Sequence, residues 1–139
     1  KEMNVKSDLD MLQNPILPLE KPYIDNRGII QNLISLNKSR MRSAVLIESK
    51  KGSIRANHYH KVDWHYCYII SGSIEYYYRP TNSDKEPIKI LIIAGQVFYT
   101  PPMVEHAMVF PEDTVFLTLG GGTRLHEDYE NDLVRVNLV

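Results

Sequence analysis

Apolar residues recur along this chain in short runs, and turn-forming residues separate most of the runs. From Tyr23 onward the runs are rich in Val, Ile, Tyr and Phe, which suit a pleated, half-buried strand. They predict strands over 29–35, 43–48, 64–70, 74–78, 88–93, 97–99, 104–110, 114–119 and 133–138. Asp25-Asn26-Arg27-Gly28, Ser49-Lys50-Lys51-Gly52, Ser71-Gly72-Ser73, Ala94-Gly95, Pro101-Pro102 and Gly120-Gly121-Gly122 supply turn or chain-breaking chemistry between them. The stretch around His58 and His60 adds a further strand if it is extended. Short strands with turns roughly every 6–12 residues, and no long helical period, predict an all-β sandwich or barrel.

Residues 1–22 break this pattern. They are polar, and Pro15, Pro18 and Pro22 favour an extended path over a helix. We read them as an arm leading into a single domain over 23–139, with at most a helical turn at 8–12. The acidic segment 127–132 precedes the last strand, in a chain that reads as all-β from Tyr23 onward.

Composition narrows the class. With 139 residues, 43% hydrophobic and 24% charged, the chain is long and apolar enough to bury one core. A net charge of −1 gives no basic surplus for nucleic acid. No apolar run approaches the roughly 20 residues that span a bilayer. The opening residues are too polar for a signal peptide, and the single cysteine, Cys67, excludes an internal disulfide. Together these predict a cytoplasmic protein. Cys67 lies in an aromatic run and reads as a small core residue.

The chemistry concentrates in the histidines. Of five, three stand within eight residues as His58, His60 and His65, and His106 follows in a later strand. Residues two apart on a strand share a face, so His58 and His60 project together. His65 and His106 can reach the same centre from neighbouring strands of a small barrel. Imidazoles suit Zn, Fe, Ni or Cu, so the expected cofactor is a divalent transition metal held by His58, His60, His65 and His106. A metal-free pocket in which the histidines serve as acid or base is the other reading. His126 sits in a polar segment and reads as a surface residue.

The spacing resembles the cupin superfamily. Gly52, five residues, His58-Tyr59-His60, four residues, His65, six residues and Gly72 are similar to its first motif, with His65 where the family usually has Glu. Gly95, five residues, Pro101, one residue, Met103, two residues and His106 are similar to the second, with Met103 in place of Gly and Phe110 in place of the closing Asn. The resemblance implies an all-β cupin barrel, a double-stranded β-helix or jelly roll, over 23–139. It also implies a homodimer, in which the arm could cross to the partner.

A narrower resemblance is to the sugar-nucleotide 3,4-ketoisomerase and 3,5-epimerase branch. It is carried by Asp25-Asn26-Arg27-Gly28, Arg55-Ala56-Asn57-His58-Tyr59-His60 and the acidic, tyrosine-bearing run 127–132. It implies a nucleotide-linked keto sugar as the small-molecule substrate, in surface-polysaccharide biosynthesis. Such an isomerisation removes a proton beside a carbonyl and must hold an enolate. His58 is then the candidate base, Tyr99 a candidate acid, and Arg27 and Arg55 candidate diphosphate ligands, because guanidinium grips phosphate bidentately. The catalytic Tyr that ketoisomerases carry before their His-x-His has no counterpart in Ala44-Val45-Leu46-Ile47. Arg27 and Arg55 can equally be solvated residues, and Trp64, Tyr66, Tyr68 and Tyr76–Tyr78 can equally be packing as base-stacking groups. Glu105, next to His106, belongs on the opposite, outer face. A metal-dependent dioxygenase and a non-catalytic binding barrel remain the alternatives.

Overall fold

The structure is a computed structural model and describes residues 14–36, 40–123 and 125–139. Among these residues eleven strands run in the order β1 (Tyr23–Asp25), β2 (Gly28–Ile30), β3 (Ser43–Ser49), β4 (Ile54–His60), β5 (His65–Ser71), β6 (Ser73–Pro80), β7 (Ile88–Ile93), β8 (Val97–Thr100), β9 (Val104–Val109), β10 (Thr114–Gly120) and β11 (Leu133–Arg135). Among the described residues one helix, α1 (His126–Asp132), precedes β11. Two antiparallel sheets build the barrel, with strand orders β3-β10-β5-β8 and β11-β4-β9-β6-β7. β1 and β2 form a separate hairpin.

The period-2 pattern sets the core. In β10, Thr114, Phe116 and Thr118 are buried, and the residues between them are partly exposed. In β6, Tyr76 and Tyr78 point inward and stack, while Tyr77 faces out beneath Lys89. They join Ile69, Ile74, Ile92, Phe98, Phe110 and Phe116 between the sheets. The Tyr76 hydroxyl is satisfied by Thr100 Oγ1 at 2.8 Å. Tyr76 and Tyr78 are therefore core packing.

A second apolar cluster covers the outer side of β5 and β8. Tyr66, Tyr68, Trp64, Val97 and Tyr99 meet Leu17, Leu19, Leu33, Ile34 and Leu36 there. The arm adds backbone pairing at the β8 edge, with Leu17 N donating to Val97 O (2.8 Å) and Tyr99 N to Pro15 O (3.0 Å). The described part of the arm thus covers an edge of its own barrel. The helical turn expected at 8–12 lies outside the described residues.

Three expectations change. The strand expected at 29–35 ends at Ile30, because Leu33, Ile34 and Leu36 serve as a cover over the second cluster. The acidic segment 127–132 is helical, with Glu127 and Asp128 in the first turn, where carboxylates suit the positive end of the helix dipole. The last strand stops at Arg135. Among the described residues no helix is long and apolar enough to cross a membrane.

Candidate metal centre

The histidine pair on β4 is aimed by a bulge. β4 pairs with β9 through Arg55↔Met108, Ala56↔Ala107 and then His58↔His106, so two steps on β4 oppose one on β9. Ala56 (φ 71) and Asn57 (φ 57) take up the extra residue in left-handed backbone. Asn tolerates that conformation, whereas Ala carries about 1–2 kcal/mol of strain. Asn57 is also tied to the C-terminal tail, its Oδ1 accepting from Leu138 N (3.2 Å) and Val139 N (3.1 Å). In an unbroken strand Arg55 and His58, three apart, would face opposite ways. The bulge places Arg55, His58 and His60 on one cavity wall.

That cavity holds about 150 Å³ between the sheets. The ring of His58 lies 4.8 Å from those of His60 and His106, centroid to centroid. One nitrogen from each of these three buried rings falls within 4.8 Å of the others. His106 Nδ1 donates to Val104 O at 3.0 Å, and His60 Nδ1 donates to Asp132 Oδ2 at 3.0 Å. Each of these two rings is left with Nε2 as a lone-pair donor, its tautomer set by the outer bond.

Burial keeps the three rings neutral. It pushes His58 down to about 2, with the His106, His60 and His65 rings acting the same way. It lowers His106 to about 3 against the upward pull of the Val104 carbonyl. His60 is lowered by burial and by His65, with Asp132 pulling it back up. A ring so displaced costs several kcal/mol to protonate at neutral pH, at about 1.4 kcal/mol per pH unit. These are poor proton acceptors and good neutral ligands. The donor set therefore fits a transition metal, and His58 is better suited to ligation than to the base role.

His65 stands apart. Its ring lines the cavity 4.7 Å from His60, yet it is outside the set of three. Its Nε2 is 3.2 Å from Asp63 Oδ2, both side chains being buried. The approach is off the line of a hydrogen bond, so the nitrogen has ion-pair proximity and no hydrogen-bonded partner. Burial raises the Asp63 carboxyl, but His65 and the amides of Trp64 and Gly122 outweigh it and hold it below the ordinary value.

The other expected residues are dispersed. Arg27 sits at the tip of the β1–β2 hairpin, paired with Asp25 at 2.6 Å and largely exposed, away from the histidines. Tyr99 points opposite to Thr100, which lines the cavity, and stacks on Tyr66 in the outer cluster. Arg55 is at the cavity, its Nε donating to Ser49 Oγ (2.6 Å) and Nη2 to Glu48 O (2.9 Å). Glu105 faces away from His106 as expected but is buried there by an ion pair with Arg79 at 2.8 Å. Cys67 is buried in the core, 3.5 Å from Thr118 Oγ1. His126 opens α1.

Sequence reasoning missed Asp63, Asp132 and the position of Tyr129. Asp132 Oδ1 also accepts from Val62 N, so the end of α1 is bolted to the β4–β5 loop. Tyr129 closes the cavity, its ring 5.4 Å from His60 and 6.4 Å from His58. On its far side lies a second cleft of about 410 Å³ walled by Arg42, Trp64, Asp63, Asp128 and Asp132. A carboxylate two residues before a motif histidine was the one local signal for Asp63.

No family model matches the chain, and no curated protein matches it in sequence. Solved structures do. The dTDP-4-dehydrorhamnose 3,5-epimerase of Elizabethkingia anophelis superposes with a TM-score of 0.69 at 18% identity, over 91% of this chain and 78% of its own. The fold is an RmlC-like cupin. The sugar 3,4-ketoisomerase QdtA of Thermoanaerobacterium thermosaccharolyticum, solved with TDP, gives 0.64 at 19% identity, over 83% and 82%. The capsular polysaccharide assembling protein CapF of Staphylococcus aureus gives 0.60 at 21%, over 87% of this chain but 35% of its own. This chain thus spans about a third of the length of CapF. At such identities the likeness is one of fold.

Proposed function

We propose that this cupin isomerises or epimerises a nucleotide-linked keto sugar, as a cytoplasmic step in building a surface polysaccharide. The observation that carries the reading is the β4 bulge, which sets a guanidinium, Arg55, beside a cavity of neutral histidines. Arg55 supplies charge-assisted donors for a diphosphate at the cavity mouth. A divalent metal on His58, His60 and His106 would supply positive charge to the oxygen that becomes negative when a proton leaves the adjacent carbon. His65 is the cavity histidine with a carboxylate behind it, so proton transfer falls to the His65–Asp63 pair. Tyr129 shields the reacting carbons from water. The solved epimerase and ketoisomerase share the fold, and the QdtA complex with TDP supports a nucleotide as part of the ligand. As in the sequence reading, a homodimer is the expected assembly.

The test is ligand stabilisation followed by isotope exchange. TDP, UDP and their 4-keto sugars are screened by thermal shift, and a hit is incubated in deuterium oxide. The reading expects a raised melting temperature that Arg55→Ala abolishes, and deuterium at carbon beside the keto group. Indifference to all nucleotides, with no exchange, refutes it. A second reading, a metal-dependent dioxygenase, is favoured by the small cavity and its Ile47, Met108 and Phe116 walls. Iron-dependent oxygen consumption would establish it.

A further inference from the structure

We propose that Asp63 is a positioning residue that holds His65 out of the ligand set, so that the centre offers a metal three histidines and keeps its other positions open. His65 Nε2 is buried, has no hydrogen-bonded partner and lies 3.2 Å from Asp63 Oδ2. An imidazole nitrogen in that state turns either to a metal or to a carboxylate, and here the Asp63 carboxylate is the group within ion-pair range of it. Asp63 is itself fixed. Its Oδ1 accepts from Trp64 N at 2.8 Å and Gly122 N at 2.7 Å, so the carboxylate cannot rotate without stranding two amides.

The three glycines complete the clamp. A Cβ on Gly120 would come 2.9 Å from His65 Cδ2, one on Gly121 would overlap the Trp64 indole, and one on Gly122 would come 2.9 Å from Asp63 Oδ2. Only a chain without side chains at 120–122 lets the end of β10 close on Asp63, Trp64 and His65 in turn. The consequence is chemical. Three protein ligands leave room for substrate, as catalytic centres do, whereas a fourth would close a tetrahedral site. Asp63 thereby decides between an open and a closed centre.

Co²⁺ binding followed by visible absorption tests this, because four-coordinate Co²⁺ absorbs more strongly than five- or six-coordinate Co²⁺. With the purified chain, His65→Ala is expected to leave the spectrum and affinity within about threefold of wild type, while His58→Ala, His60→Ala and His106→Ala each weaken binding at least about 100-fold. Asp63→Ala is expected to intensify the bands as His65 joins, and Asp63→Ala/His65→Ala to restore the wild-type spectrum. Asp63→Asn keeps an oxygen for the Trp64 and Gly122 amides and removes the charge, so it serves if the alanine variant does not fold. A loss of more than about tenfold in His65→Ala, or wild-type spectra from folded Asp63 variants, overturns the inference. The inference rests on the metal reading. A wild-type chain that takes up no Co²⁺ overturns that reading along with it, whereas the His65 and Asp63 outcomes bear on this inference alone.

Discussion

Acid should destabilise the metal-free barrel through its buried histidines, and the size of the effect follows from their environment. His58 and His106 are displaced to about 2 and about 3, and His60 is lowered as well. In the unfolded chain each titrates near pH 6.5. Above that value neither state binds a proton, so stability is full. Below it the unfolded chain takes up protons that the folded rings refuse, and stability falls until the folded values are reached. Between about pH 7.5 and 5.5 each such ring removes about 1.4 kcal/mol, so His58 and His106 together remove about 3 kcal/mol. His60 adds in the same direction, tempered by Asp132. That is a large share of the roughly 5–15 kcal/mol that holds a domain folded. Urea melts of chelator-treated protein across this window measure it, and the window lies above the range where carboxylates titrate. His106→Gln should flatten the slope by about half a proton averaged over this window. A stability that is level, or that rises, as pH falls to about 5.5 would refute the assignment of these rings as buried and neutral.

Two further outcomes probe the packing around the centre. Gly121→Ala drives a Cβ into the Trp64 indole and should cost about 1–3 kcal/mol in urea unfolding; an unchanged midpoint means that the β10 end is not clamped as described. Tyr76→Phe removes a 2.8 Å bond in a fully buried site and strands the Thr100 hydroxyl on the cavity wall, which should cost about 1–2 kcal/mol by the same assay; a change within about 0.3 kcal/mol refutes that account.

The barrel was legible because its information is local. Alternating apolar residues mark one face of each strand, and Gly, Pro and Asp mark the turns, so most strand positions needed only neighbours in sequence. The histidine spacing was legible for the same reason. His58 and His60 share a face by parity, whereas His106 comes opposite His58 only through the pairing of β4 with β9. The hydrophobic runs at 29–36 misled because a strand and an apolar cover have the same composition, and only the presence of a surface to cover separates them.

What the chain order could not carry was decided by sheet assembly. The bulge at Ala56-Asn57 has no glycine to announce it, yet it sets which way Arg55 faces. Asp132 reaches His60 across 72 positions only because β11 pairs with β4 and returns the end of α1 to the histidines. Tyr99 went to the outer cluster by strand parity, and Arg27 stayed on its own hairpin. His65 shows the division most clearly. Its place in the motif is written in the sequence, but whether it meets the other three histidines or Asp63 depends on how closely Gly120–Gly122 let β10 approach, a distance that exists only once the sheet has formed.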